Sequence, residues 1–188
     1  MKQLTDFTKE DWDRLFPIAL EPHNPQWKSI FEAEKSQIEE ALIAVEDLQV
    51  EHFGSTSIPG IASKPYIDML IEIPSEWLFD PGIIKAMEKL DYQYFERTDA
   101  TANYMIFVKG YHTDGTTDQV FHIHMCTADN DMADQLAFRD ALIADPAKAQ
   151  AYEELKLQLA KEYKHDRSGY RIAKGAFIAE VLKEYSMN

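Results

Sequence analysis

Residues 51–73 read EHFGSTSIPGIASKPYIDMLIEI. Leu48, Val50 and Phe53 form a short apolar lead that stops at Gly54-Ser55. A loop with Pro59, Gly60, Lys64 and Pro65 follows, then an apolar run interrupted near its start by Asp68. This order predicts strand, small-residue turn, loop and strand. Gly54 admits a backbone or a ligand where a Cβ would block it. Ser55 and Thr56 bring hydroxyls and N–H groups to the turn, which suits phosphate oxygens. In the second strand Ile67, Met69 and Ile71 share one face, and Asp68, Leu70 and Glu72 the other. With the apolar face in the core, Asp68 stands at the mouth of a cleft with Ser55 and Lys64 near it.

The order Gly-Ser turn, loop, strand-borne Asp resembles the signature of the nucleotidyltransferase superfamily. The fuller string HFGSTSIPGIASKPYIDMLIEI resembles the GrpB family within it. FHIHM at 121–125, LAFRDAL at 136–142, Tyr170 with Lys174, and NPQWKSIF at 24–31 match the same family's pattern. The resemblance covers about residues 22–185. It implies an α/β (α+β) fold, a nucleotidyltransferase-like mixed sheet flanked by helices with a C-terminal helical cap. It also implies a Gly-Ser turn that holds a nucleoside triphosphate (NTP) and strand carboxylates that hold magnesium. An NTP and a small-molecule acceptor are then the expected partners, and a divalent cation, Mg²⁺ or Mn²⁺, the expected cofactor.

The 188 residues suit one domain with a proper core and are few for two. Hydrophobic residues at 45% and aromatics at 12% argue for a folded globule. The net charge of −14 disfavours a broad nucleic-acid surface, because phosphate backbones call for clustered Lys and Arg. An acidic chain can still hold one phosphorylated ligand in a local basic pocket. No segment approaches the ~20 apolar residues of a membrane-spanning helix. The opening MKQLTDFTKEDWDRLF lacks the apolar core of a secretory signal, and the single cysteine, Cys126, fits a reducing compartment. A cytoplasmic location is the expectation.

Residues 1–23 read as an N-terminal extension with a short, loosely docked helix around Phe7, Trp12 and Phe16. Residues 24–188 read as the single domain. Asn24-Pro25 predicts a helix start, with an apolar stripe of Trp27, Ile30, Phe31, Ile38, Leu42 and Val45. Trp27 reads as a packing residue. Asp80-Pro81 opens another helix, and Tyr92–Phe95 and Tyr104–Val108 are strand-like. Asp114-Gly115 signals a hairpin. In Gln119–Cys126, Phe121, Ile123 and Met125 alternate with Val120, His122, His124 and Cys126. The remainder is helical, with Asp145-Pro146 opening one helix and Ser168 placed to cap another. The coarse order is αββαβββααα, with a mixed sheet of four or five strands.

Transfer of a nucleotidyl group needs carboxylates and cations converging on one cleft. Asp68 is the candidate metal ligand; its plainer role is an Asp at a strand start bonded to the loop below. Superfamily members usually carry two acids flanking one apolar residue, whereas the second position here is Leu70. Glu72 lies roughly 13 Å further along the same face and cannot share an ion with Asp68. His122 and His124, at i and i+2 on a strand, point the same way, a spacing found in metal sites. In the implied fold their strand lies beside that of Asp68. The pair would then join Asp68 as metal ligands, supply a base or phosphate contact, or simply sit in a hydrogen-bond network.

Gly54, Ser55, Thr56, Lys64, Arg139 and Lys174 are the candidate nucleotide- and phosphate-binding residues, the last two raised by the family pattern. Lys156 and Arg171 are further helical cations, although most such side chains are solvated. His52 adjoins the Gly-Ser turn, and Glu51 points to the opposite face. Cys126 reads as a core residue. Three functions compete. One is a metal-dependent nucleotidyltransferase. Another is a binding module of the same fold without catalysis, motivated by Leu70. The last is metal-dependent hydrolysis or other phosphoryl chemistry at Asp68, His122 and His124.

Overall fold

The computed structural model describes residues 3–99 and 102–185. Strands β1 (Gln49–Phe53), β2 (Tyr66–Glu72), β3 (Gln93–Asp99), β4 (Ala102–Tyr111) and β5 (Thr117–Cys126) make one sheet. Their order is β1-β2-β5-β4-β3, and the β2–β5 pair is parallel within an otherwise antiparallel arrangement. The mixed sheet follows from the alternation of apolar residues. Ile67, Met69 and Ile71 are fully buried with Phe107 and Ile123. Helices α2 (Trp27–Ala41) and α3 (Pro81–Glu88) cover this face with Trp27, Phe31, Ile38, Ile83 and Met87.

Two Asp-Pro pairs start helices as expected. Asp80 Oδ1 accepts from the N–H groups of Gly82 and Ile83. Asp145 does the same for Ala147 and Lys148. Asn24-Pro25 behaves differently: Asn24 Oδ1 accepts from Gln26 N–H, the chain turns, and the helix starts at Trp27. The helix also ends at Ala41, short of Val45.

Helices α4 (Ala133–Ala144), α5 (Pro146–Glu162), α6 (Arg167–Ala173) and α7 (Gly175–Tyr185) form the C-terminal cap. Phe138, Leu142, Tyr152 and Val181 of the cap enclose Ile58 and Ile61 from the β1–β2 loop. The loop is therefore built into the cap. Ser168 does not cap α6. The cap is Asp166, whose carboxylate accepts from Gly169 N–H, and the expected single helix divides at Lys174.

The N-terminal helix α1 (Lys9–Leu15) is firmly seated, contrary to the loose docking expected of it. Leu4 and Phe16 are buried with Tyr66, Val108, Tyr111 and Val120 on the sheet. Asp13 Oδ1 accepts from Arg167 N–H at 2.9 Å, tying α1 to α6. Among the described residues, no helix is long and apolar enough to cross a membrane.

Candidate functional site

The parallel β2–β5 register sets Asp68 beside His122 and Leu70 beside His124. Antiparallel pairing brings Phe53 of β1 opposite Asp68. These side chains share the face turned away from the α2–α3 core. One part of that face is covered by α1 and its neighbours over Tyr66 and Tyr111. Another is covered by Met132 and Leu136, which pack with Phe53, Leu70 and Cys126. Asp68 and His122 stay partly accessible between them.

At the end of β1 the chain passes through Gly54 with φ +70 and ψ −178, a conformation that is essentially glycine's alone. A Cβ there would lie 2.3 Å from Asp68 Oδ2 and 2.9 Å from Asp68 Cβ. Ser55–Ser57 then make one 3₁₀ turn, closed by Ser57 Oγ donating to Gly54 O at 2.6 Å. Thr56 is buried, donates to Tyr66 O at 2.9 Å and lies 3.0 Å from His52 Nε2, so its hydroxyl joins the two strands.

His122 Nδ1 is 3.6 Å from Asp68 Oδ1, and its Nε2 is 2.8 Å from Tyr111 Oη. Burial lowers the His122 pKa against the opposing pull of Asp68. Burial acts on Asp68 in the opposite sense, upward, but His122 and Lys64 outweigh it and hold the carboxyl below its usual range. His124 sits among rings, 5.6 Å from Phe53 and 5.5 Å from Tyr104 between centroids. Its Nδ1 is buried without a hydrogen-bond partner, and burial pushes its pKa down to about 4.

Lys64 borders Asp68, and Lys174, Lys156 and Arg167 lie within electrostatic reach of Lys64. Lys64 Nζ lies 4.8 Å over the Tyr66 ring, and Lys174 Nζ 4.7 Å over the Tyr170 ring. Lys156, 1% exposed, donates to Ala62 O at 2.5 Å and lies 3.4 Å from Ser63 Oγ. Glu153, one helical turn earlier, accepts from Ala62 N–H at 2.5 Å. Helix α5 thus grips both backbone groups of one loop residue. Burial, with Arg167, Lys174 and Lys156 nearby, brings Lys64 down to about 7 against the attraction of Asp68. Lys156 also falls to about 7, through burial and Lys174.

Other residues lie apart from this group. Arg139 donates to Glu51 Oε2 (2.8 Å), His52 O (2.8 Å) and Asp140 Oδ1 (2.7 Å), bracing α4 against β1. His52 faces the core, stacked on Phe31 at 4.7 Å, and burial lowers it to about 4. Arg171 is exposed. Cys126 is buried and its thiol pushed up to about 12 by burial and by Glu72 and Asp129.

Arg167 and Tyr111 join the site without a local pattern to mark them. Arg167 Nη2 reaches Tyr111 Oη at 3.4 Å, and that hydroxyl reaches His122. Both depend on α1, since Nη1 of Arg167 donates to Phe16 O and Trp12 packs edge-on against Tyr111.

Among the described residues, no group of three or more His, Cys, Asp or Glu is arranged to hold a metal ion. Leu70, at the second-acid position, is 1% exposed beneath α4. Asp68 is a single carboxylate. Such a donor fits a magnesium or manganese ion that takes most of its ligands from phosphate oxygens and water.

A sequence model described as GrpB protein matches residues 17–184. A UPF0157 protein of Pseudomonas aeruginosa is 36% identical over 168 residues, covering 88% of this chain and 66% of its own length. The glutamate-rich protein GrpB of Alkalihalophilus pseudofirmus is 30% identical over 168 residues, covering 89% and 95%. The crystal structure of a conserved GrpB protein from Enterococcus faecalis superimposes with TM-score 0.76 at 30% identity, over 89% of this chain and 96% of that one. A Cid1 poly(U) polymerase mutant bound to MgATP matches with TM-score 0.51 at 14% identity, over 77% of this chain and 44% of the polymerase. That last likeness is one of fold, a nucleotidyltransferase-like mixed sheet with C-terminal helices.

Proposed function

The chain belongs to the GrpB family, and from the geometry of its cleft we propose that it binds an NTP and transfers the nucleotidyl group to a small acceptor. The observation that carries this reading is the company Asp68 keeps. In a chain of net charge −14, Lys64 lies next to the Asp68 carboxylate and has Arg167, Lys174 and Lys156 within electrostatic reach. A triphosphate would relieve the mutual repulsion of such cations and receive charge-assisted hydrogen bonds from Lys64 and Lys174, while Lys156 stays buried on the loop.

In this reading the turn at Gly54 and Ser55 faces the phosphates, Gly54 makes room for the Asp68 carboxylate, and Thr56 pins the turn from behind. Lys64 and Lys174 contact the phosphate tail. Asp68 would hold a magnesium or manganese ion carried in on the nucleotide, and that ion would neutralise charge developing on the α-phosphate. His122 and His124 line the sheet floor beside it. Arg139 braces β1 at His52 O, two residues before Gly54, and a contact of its own with a phosphate is part of the proposal.

A second reading, nucleotide binding without transfer, draws on Leu70. Its burial beneath α4 leaves β2 with one acid where a two-carboxylate clamp needs a second. Calorimetric titration of NTPs with and without Mg²⁺ or Mn²⁺, followed by a pyrophosphate-release screen against small hydroxyl- and amine-bearing acceptors, separates the two. Cation-dependent binding with pyrophosphate release is the expected result. Binding without release across the screen supports the second reading, and no NTP binding ends both.

A further inference from the structure

We infer that Arg167 and Tyr111 are positioning residues that fix the ring proton of His122 on Nδ1, so that His122 braces one oxygen of Asp68 and leaves the other to a ligand. The inference rests on the reading that Asp68 is the acid that meets a bound cation. Its geometry comes from a chain of contacts running from α1 across α6 and β4 to β2.

Arg167 is held at its root. Its backbone N–H donates to Asp13 Oδ1 at 2.9 Å, its Nη1 donates to Phe16 O at 3.0 Å, and its guanidinium lies 6.0 Å over Trp12. Nη2 then points at Tyr111 Oη, 3.4 Å away. A guanidinium only donates, so the tyrosine oxygen turns a lone pair to it. The Tyr66 hydroxyl also meets Tyr111 Oη and Arg167; with Tyr66 donating to the second lone pair of Tyr111 Oη, the Tyr111 proton goes to His122 Nε2 at 2.8 Å. A neutral imidazole whose Nε2 accepts carries its proton on Nδ1. Nδ1 faces Asp68 Oδ1 at 3.6 Å, within charge–dipole reach and able to tighten on ligand binding.

The other tautomer is disfavoured from both sides. It would set the Nδ1 lone pair against the Asp68 carboxylate, and it would aim a second donor at Tyr111 Oη. The groups around His122 are Asp68 and Tyr66 on β2, Tyr111 on β4, Arg167 on α6 and Lys64 in the β1–β2 loop. Asp68 is thus held on one side, while Oδ2 turns toward the bare backbone of Gly54. A second-layer contact of this kind typically affects metal affinity or activity by about 10–100-fold.

The test is side-chain ¹⁵N NMR of the nucleotide-free protein at a single pH. Wild-type His122 is expected to show a protonated Nδ1 and an unprotonated Nε2. Tyr111→Phe keeps the ring and removes the hydroxyl, so the ring proton should move toward Nε2. Arg167→Lys, which keeps the charge and loses the fork, should move it in the same direction. Mn²⁺–ATP affinity should fall about 10–100-fold in Tyr111→Phe and stay at the wild-type value in the control Tyr94→Phe. A wild-type proton on Nε2, or an unchanged tautomer in Tyr111→Phe, overturns the inference. Should Tyr111→Phe fail to fold, the wild-type tautomer decides alone. The expected tautomer shift in a protein that binds no NTP would support the network and strike only the functional reading.

Discussion

Gly54 and Asp68 occupy each other's space: a Cβ on Gly54 would fall 2.3 Å from Asp68 Oδ2. The glycine also adopts φ +70, where a side chain costs of order 1–3 kcal/mol. Gly54→Ala should therefore destabilise by more than that strain alone. Asp68→Ala removes the carboxylate but leaves its Cβ, so the double variant should recover part of the loss. Urea denaturation of both single variants and the double variant measures the coupling. Simple additivity, to within about 0.5 kcal/mol, would show that the two residues do not collide.

Arg139 satisfies three acceptors with one planar fork, and lysine cannot reproduce that geometry. Arg139→Lys should cost about 1.5 kcal/mol or more, as expected for charge-assisted bonds that include the partly buried His52 carbonyl. A loss below about 0.5 kcal/mol in chemical denaturation would reduce the brace to an ordinary surface ion pair.

Lys156 gives stability a pH dependence of known sign. Its pKa is about 7 folded and 10.5 by the ordinary value, so between those limits the unfolded chain binds a proton that the folded chain has released. Stability should rise with pH from about 7 toward 10, by at most about 1.4 kcal/mol per pH unit for one group. Lys64 acts in the same direction. Tyr92 and Tyr170, raised above 10.0 by burial, work against it only at still higher pH. The slope should flatten in Lys156→Met; denaturation at several pH values that gives parallel curves for both proteins would refute this.

Nucleotide binding should take up protons near neutral pH. A polyanion beside Lys64 and Lys156 favours their charged forms and raises pKa values that start at about 7. Calorimetry in buffers of different ionisation enthalpy reads the uptake directly. Binding heats that do not depend on the buffer would place the ligand away from these lysines.

Leu70→Asp would place an acid at the second position of β2, under α4 and against Phe53 and Cys126. An unpaired buried charge should cost about 3 kcal/mol or more at neutral pH, whereas Leu70→Met should cost less than about 1.5 kcal/mol. Thermal melts decide this. A Leu70→Asp protein as stable as wild type would mean that the strand tolerates a two-acid clamp.

Much of this architecture is legible locally. The alternation of Ile67, Met69 and Ile71 fixes which way Asp68 points, because a strand has only two faces. Asp80-Pro81 and Asp145-Pro146 mark helix starts through a side-chain oxygen and a preset φ. Harder to read are the features decided by distant partners. Asn24-Pro25 carries the same signal, yet Asn24 closes a turn on Gln26. The buried Lys156 looks like any lysine on an amphipathic helix, because periodicity does not say that a loop carbonyl will be waiting for it. Arg167 and Tyr111 gain their place only once α1 is docked, and Leu70 loses solvent only once α4 covers it.

The bond from Arg167 N–H to Asp13 joins positions 154 residues apart. Contacts of that span are among the last a chain can close, since the loop between them must already be ordered. During synthesis, α1 leaves the ribosome long before its partner on α6 exists. The nascent chain can pair β1 with β2 and seat α2, but it lacks Arg167 and the back wall of the cleft. Tyr111 and His122 would wait with an unfilled side until the final helices arrive. Assembly of this wall is thereby coupled to the synthesis of α6, and a polypeptide that stops short of Arg167 leaves Tyr111 and His122 without their outer support.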